Sequence, residues 1–411
     1  MNGTLSSAVP AVPTAAPIVH RTVATILIAL TFSHLLNDLM QSVVPAIYPM
    51  LASKFCLSLS QIGMITLVNQ VTASLLQPVV GWYHDKHPSK YSLSIGMGFT
   101  FVGLLVLAYA TSYPALLVAA ACVGMGSSVF HPEASRIARL ASGGRYGVAQ
   151  TVFQVGGNLG TSLGPLFAAL IIMERGQASI AWFSLAALLA MIVLFAVGRW
   201  YGRHHFGPKP PTPVVPTTSL VSTQRVVGSL IVLGLLVLSK YVYLVSFTSY
   251  YTFYLMEHFH ISTQDAQIQL FVFLFAIAAG TLIGGPIGDR IGRKKVIWVS
   301  ILGIAPFTIA LPYANLPGTE VLAFISGFVL ASAFSAILVF AQELVPGRVG
   351  LVSGLFFGFA FGVAGVGGKL LGDLADRTSL DFVYAVCSYL PLIGIVTMFL
   401  PNIQPQRIRR S

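Results

Sequence analysis

Gly285-Pro-Ile-Gly-Asp289-Arg290-Ile-Gly292-Arg293-Lys294-Lys295 is a glycine-punctuated loop carrying one acid and four bases between two apolar runs. Each run is about 20 residues long, the length of helix that crosses a hydrocarbon core of ~30 Å. A related string, Gly81-Trp-Tyr-His-Asp85-Lys86, ends a similar run, with its aspartate 204 residues before Asp289. Two more pairs repeat the order. Phe130-His-Pro-Glu133 is matched by Phe340-Ala-Gln-Glu343, and Arg145-x-Gly147 by Arg348-x-Gly350. Six apolar runs separate equivalents, so the halves are repeats of parallel topology, related by an axis along the membrane normal. Such symmetry belongs to transporters whose site lies between two bundles.

Composition supports a lipid solvent. Only 9% of the 411 residues are charged, against roughly 25% in soluble domains, and the mean hydropathy is +0.82. The runs are rich in Gly, Ala and Leu without the alternation of a β-barrel strand. They fall near 22–47, 61–83, 92–111, 114–139, 148–172 and 181–201, then near 227–256, 267–287, 296–314, 320–343, 350–372 and 381–400. The expected fold is therefore all-α and integral to the membrane, twelve transmembrane helices in two six-helix bundles. Residues 1–21 form an N-terminal tail, 22–201 the first bundle, 202–226 a linker, 227–400 the second bundle and 401–411 a C-terminal tail. The linker holds Pro208, Pro210, Pro211, Pro213 and Pro216, which deny the backbone its helical donors. No base precedes Arg21, so the N-terminal segment lacks the basic start of a cleavable signal.

The net charge of +11 is a statement about topology. With alternating loops, 18 of the 23 Lys and Arg fall on one side and Lys54, Arg175 and Arg377 on the other, leaving Lys240 and Lys369 in or near the membrane. The positive-inside rule then places both termini in the cytoplasm, and no nucleic-acid partner is expected. Cys56, Cys122 and Cys387 are odd in number and scattered, without disulfide or metal-ligand spacing. No metal and no cofactor is expected.

Polar side chains inside the spans mark the candidate site, because an intramembrane charge must face a bundle interior or a watery cavity. His34, Asn37, Asp38 and Gln41 follow i, i+3, i+4 and i+7, one face of a helix. Gln154 and Asn158 continue a four-residue stripe from Gln150, while Gly156, Gly160 and Gly164 form another on the same span. The glycines suit close helix packing, and the amides a cavity wall. Lys240, Tyr243, Phe247, Tyr250 and Tyr254 form a basic and aromatic stripe on the seventh span. On the fourth, Glu133 and Arg136 share a face from which His131 points roughly away. Asp38, Glu133 and His131 are the proton-coupling candidates. His34, Asn37, Asp38, Gln41, Arg136, Gln154, Asn158, Lys240 and Tyr243 are the cavity candidates. Asp38 and Lys240 stand at nearly equivalent positions of the two repeats, at comparable depths across the pseudo-two-fold axis, so mutual attraction is expected.

The loop at Gly285–Lys295 resembles the signature of the major facilitator superfamily. Gly81, Asp85, Lys86, Gly285, Asp289, Arg290, Gly292, Arg293 and Lys294 are its gating-loop residues here, although His87-Pro88-Ser89-Lys90 departs from the pattern in the first copy. An aspartate at such a helix end can tie one helix to bases or to a helix N-terminus across the bundles. A closer resemblance is to the bacterial fosmidomycin-resistance exporters. It is carried by Ser33-His-Leu-Leu-Asn-Asp38, Gln61-Ile-Gly-Met-Ile-Thr66, Leu76-Gln-Pro-Val-Val-Gly81, Gly126-Ser-Ser-Val-Phe-His-Pro-Glu133, Phe153-Gln-Val-Gly-Gly-Asn158 and Ser239-Lys-Tyr-Val-Tyr243. This resemblance implies an inner-membrane, proton-driven efflux pump conferring antibiotic resistance, its cavity lined by spans 1, 4, 7 and 10. Gly160-x-x-x-Gly164-Pro165 resembles the fifth-span motif of drug–proton antiporters, with Ala168-Ala169 in place of a glycine pair. The implied partners are a small anionic or amphiphilic substrate and the bilayer, with the chain a monomer.

A membrane-embedded enzyme using His34, Asp38 or His131 with Glu133 is the alternative, but it leaves the two-fold repeat without a purpose. Gly362-Val-Ala-Gly-Val-Gly-Gly-Lys369 is no nucleotide loop, since Val363 and Leu370 stand where Gly and Ser/Thr are required. If the signature loop gates the protein, Asp85→Asn is expected to slow transport without preventing membrane insertion. Labelling of a cysteine engineered on the cytoplasmic side should rise; normal transport with unchanged labelling rejects the gating role.

Overall fold

Satisfying every backbone amide inside lipid requires helices, and the chain supplies them end to end. The computed structural model describes residues 22–86, 89–143, 146–205, 222–345 and 349–402. Among these, twelve helices are long and apolar enough to cross a membrane. Spans 1–6 are Ala24–Phe55, Leu59–Val80, Ser92–Tyr109, Tyr113–Ala138, Ala149–Arg175 and Gln177–Arg203. Spans 7–12 are Thr223–Phe259, Thr263–Ile283, Arg293–Tyr313, Leu316–Gln342, Gly354–Arg377 and Leu380–Phe399. Large apolar side chains such as Ile28, Leu185 and Phe399 point outward, as a lipid-facing surface demands.

Three boundaries differ from the sequence expectation. Span 1 continues well past residue 47. Pro45 and Pro49 lack amide donors and interrupt the helix at Ile47, but it resumes at Tyr48 and stops only at Cys56, whose backbone turns left-handed at φ 51°. The linker is shorter than 202–226, because the sixth helix runs through His205 and the seventh begins at Thr223. In span 5, Pro165 cannot donate into the helical ladder, and the chain widens into a π turn at Ala168–Ile172.

Glycines set how closely the helices approach. A Cβ on Gly156 would lie 2.3 Å from the Thr31 carbonyl oxygen, and one on Gly160 2.1 Å from that of Leu35. On Gly164 it would stand 2.1 Å from Ser42 Oγ. Span 5 therefore presses its small-residue stripe onto the backbone of span 1, as the four-residue spacing suggested. Between the bundles, span 2 packs along span 11 and span 5 along span 8.

We call the end bearing Asp85 and Asp289 the signature face and the opposite end the far face. The backbones of Gly81, Asp85 and Lys86 continue the helix of span 2, and those of Gly285, Asp289 and Arg290 the helix of span 8. Their side chains, with those of Arg145, Glu343 and Arg348, lie outside the described residues. So do the tails 1–21 and 403–411 and the linker centre, 206–221. Gly292 makes the turn at φ 93°, after which Arg293 opens span 9. Lys294 Nζ donates to the carbonyls of Met398 and Leu400, at 3.0 and 2.5 Å.

At the far face the two bundles are tied together. Asp376, ending span 11, accepts from the first amides of span 2, Leu59 N at 3.0 Å and Ser60 N at 2.7 Å. A carboxylate at a helix N-terminus satisfies orphan donors and meets the positive end of the helix dipole. Lys369, paired with Asp373, donates to Ser60 Oγ at 2.9 Å. Deeper in, Thr66 of span 2 meets Ser249 of span 7 at 3.2 Å, and Gln267 of span 8 donates to the Ala46 carbonyl at 2.6 Å. This conformation is closed at the far face. Replacing Asp376 with Ala is expected to lower stability by about 1 kcal/mol, the usual worth of a cap. In a Cys56→Ser background it should also speed labelling of Thr66→Cys by a membrane-impermeant thiol reagent. Unchanged melting and labelling would reject the cap as a latch.

Candidate functional site

The polar stripe of span 1 is brought against span 4. Asp38 Oδ2 lies 3.3 Å from His34 Nε2 one turn earlier, and Oδ1 lies 3.6 Å from His131 Nε2. Asn37 Nδ2 donates to Asp38 Oδ1 at 2.8 Å. Both imidazoles are buried, while the Asp38 side chain keeps 18% exposure. The rings are held by their other nitrogens. His34 Nδ1 is 2.7 Å from the Phe153 carbonyl, and His131 Nδ1 is 3.2 Å from the Ser127 carbonyl and 3.0 Å from its hydroxyl.

A carbonyl only accepts, so His34 Nδ1 carries a hydrogen and the Nε2 of its neutral ring turns a lone pair toward Asp38. His131 Nδ1 meets both a carbonyl, which accepts, and the Ser127 hydroxyl, which can donate, so either tautomer satisfies it. A proton between His34 and Asp38 would turn their 3.3 Å contact into a hydrogen bond. The three ligand-type atoms also lie within 4.8 Å of one another, a spacing a cation would tolerate.

Several neighbours of this cluster escaped the sequence reading. A Cβ on Gly157 would stand 2.4 Å from His34 Nε2 and 2.7 Å from Asp38 Oδ2, so only glycine leaves room there. Its signal was the pair Gly156-Gly157, of which helix packing explains only the first. Phe153 stacks on the His34 ring at 4.0 Å, with Phe130 at 5.5 Å. From the second bundle, Phe361 and Phe357 of span 11 approach His131 at 5.6 and 6.3 Å. His131 therefore touches both bundles.

Glu133 does not join this cluster. It pairs with Arg136 at 2.8 Å, and Arg136 Nη2 also donates to Tyr201 OH of span 6 at 2.8 Å. Arg136 is thereby drawn into the first bundle, away from the cavity expected for it. Two residues apart on one helix, His131 faces the seam and Glu133 turns to Arg136. Tyr243 likewise packs inside the second bundle, its ring 5.1 Å from Phe247.

A cavity of about 60 Å³ lies between the bundles, walled by Gln154 and Asn158 of span 5, Lys240 and Tyr241 of span 7 and Phe334 and Ser335 of span 10, among others. Ile277 brings in span 8, so spans 5, 7, 8 and 10 line it. Spans 1 and 4, expected in the lining, carry the His–Asp–His cluster instead. Asn158 Nδ2 crosses the seam to Thr281 Oγ1 at 2.7 Å. Lys240 is buried, its ammonium 5.8 Å from the Tyr241 ring and 5.9 Å from Phe334. The expected attraction between Asp38 and Lys240 yields no ion pair. Asp38 takes the histidines, and Lys240 has no acidic partner among the described residues. Asn37 Oδ1, Gln41 Nε2 and Gln154 Oε1 are buried without a hydrogen-bond partner there, bonding capacity that a polar solute would use.

Comparison with known proteins agrees with this architecture. The chain is 59% identical to the fosmidomycin resistance protein of Escherichia coli (strain K12), over 93% of this chain and 94% of that one. It is 40% identical to an uncharacterized MFS-type transporter, YfnC, of Bacillus subtilis (strain 168), over 94% and 95%. In fold it resembles a bacterial homolog of the human lysosomal transporter Spinster, solved in an inward-facing and occupied conformation. The TM-score is 0.69 at 16% identity, covering 92% of this chain and 94% of that one. The sequence profile of the Major Facilitator Superfamily matches residues 30–254 and 241–411. With twelve spans, a repeated signature loop and a polar seam between two bundles, this chain belongs to the major facilitator superfamily of membrane transporters.

Proposed function

We propose that the protein is a proton-coupled antiporter that exports small anionic or amphiphilic compounds, fosmidomycin among them, by alternating access. It would work in a bacterial inner membrane, as a monomer with both termini in the cytoplasm and protons as its only coupling ion. The observation that carries this reading is the His34–Asp38–His131 cluster, whose hydrogen bonds leave a place for one proton beside the seam. Kinship with a fosmidomycin resistance protein supports the direction of transport and the substrate class.

The residues divide the work. Lys240, buried and without an acidic partner among the described residues, attracts an anion into the cavity, where the Gln154 and Asn158 amides orient it. His131 bridges Asp38 and the aromatic rings of span 11, so rocking of the bundles alters the surroundings of the shared proton. Export follows when proton binding at the cluster and anion binding near Lys240 oppose one another, and the two alternate as the seam opens to each side.

Cells overproducing the protein are expected to accumulate less fosmidomycin, and a protonophore should abolish the difference. Loss of the difference on ATP depletion, with the proton gradient held, rejects antiport. In proteoliposomes, Asp38→Asn should lose uphill transport while keeping substrate exchange and a near-normal melting temperature. Full coupling in this variant excludes Asp38 as the proton site; lost coupling with collapsed melting assigns it a structural role. Lys240→Ala should raise the KM for an anionic substrate roughly tenfold or more, the worth of a charge-assisted hydrogen bond. An unchanged KM removes Lys240 from the binding site.

A further inference from the structure

The outer flank of the first bundle, remote from the seam, carries a second polar site. Where spans 3 and 6 reach the signature face, a cavity of about 690 Å³ opens between them, lined by Ser89, Lys90, Tyr91, Phe195, Arg199 and Arg203 with Gly202. Three of these are basic and none is acidic. Among the described residues, Lys90, Arg199 and Arg203 make no ion pair and no side-chain hydrogen bond, Lys90 only resting over its neighbour Tyr91 at 4.9 Å. The geometry is fixed by the backbone. A Cβ on Gly198 would lie 1.8 Å from the Lys90 carbonyl, and one on Gly202 3.3 Å from Lys90 Cδ, so span 6 cradles the Lys90 segment. Below it, Tyr91 and Phe195 stack at 5.3 Å with planes 9° apart, and Ser94 Oγ donates to the Met191 carbonyl at 3.2 Å.

The repeat shows that this basic group is not needed for capping. Lys294 occupies the position 204 residues after Lys90, and in the second bundle it caps the carbonyls that end span 12. Among the described residues, Lys90 caps no carbonyl of the first bundle. The helix of span 3 also starts here, at Ser92, with no acidic residue in its first turn to repel an anion. Beneath the stacked rings, the two spans turn exposed apolar side chains outward, Ile95 and Phe99 from one, Leu188 and Ile192 from the other.

We propose that this pocket holds the headgroup phosphate of an anionic phospholipid, with its acyl chains along the apolar groove between spans 3 and 6. Basic pockets between spans at the membrane boundary recognise such headgroups through charge and hydrogen bonding together, and the aromatic pair lies near the ends of its two spans, where interfacial rings are favoured. A soluble phosphate would share the polar contacts but not the groove.

The test uses the full chain in nanodiscs of phosphatidylcholine alone or mixed with phosphatidylglycerol, read by native mass spectrometry for retained lipid and by thermal melting. Preferential retention of phosphatidylglycerol with a higher Tm is expected. Lys90→Gln, Arg199→Gln and Arg203→Gln should each weaken that retention about fivefold, the equivalent of about 1 kcal/mol per basic residue at a membrane surface. Arg225→Gln, which neutralises an exposed base at the same face outside the pocket, should change nothing. Equal retention of the two lipids, or equal weakening by Arg225→Gln, overturns the site. Inorganic phosphate added to phosphatidylcholine nanodiscs should not raise the Tm; a rise matching that of phosphatidylglycerol assigns the pocket to a free anion and overturns the lipid. Should a Gln variant fail to fold, Lys90→Arg and Arg199→Lys keep the charge and should keep the lipid; loss of retention in both overturns the electrostatic basis.

Discussion

The first bundle is organised around a contact between backbones. Gly156, Gly160 and Gly164 let span 5 lie against Thr31, Leu35 and Ser42 of span 1 with no side chain of its own between them. That closeness brings the Phe153 carbonyl within reach of His34, and leaves Gly157 beside Asp38 with no Cβ to displace it. Wider spacing would release the His34 ring and with it the orientation of Nε2. In lipid, where burial of apolar surface does not drive helices together, such close packing is a main source of association energy. The polar site inherits its precision from this apolar contact.

The two repeats use one plan for different chemistry. Each has a polar group near the same depth, Asp38 in span 1 and Lys240 in span 7, and each group satisfies itself locally. Asp38 is held by two histidines and an asparagine, whereas Lys240 rests between aromatic rings beside a small cavity. On the proposed antiport function, keeping the two charges apart would matter, because each would have to bind and release its own ligand. A tight buried ion pair would be costly to break, and would hold the bundles in one arrangement.

Much of this was legible in the sequence, for reasons that can be stated. Helical periodicity exposes any pattern confined to one helix, so the His34-Asn37-Asp38-Gln41 stripe and the glycine stripe of span 5 could be seen in the sequence. Contacts between helices distant in the chain could not. His131 stands 93 residues from Asp38, and although its own span shows it pointing away from Glu133, nothing there reveals that it meets Asp38. The repeat offset put Lys240 opposite Asp38 in depth, but depth does not bring side chains together, and the histidines were nearer. The Asp376 cap on Leu59 and Ser60 spans more than three hundred residues, and acquires meaning only once spans 2 and 11 are adjacent.

The seal at the far face has a consequence for the energy supply of the cell. Asp376, Lys369, Ser249 and Gln267 bind the bundles at that end, and on the proposed function these contacts stand between the His–Asp–His cluster and that side. A proton site reachable from both sides at once would short-circuit the membrane, dissipating the gradient whenever the transporter stood idle. One-sided access would instead let the protein be abundant without acting as an uncoupler.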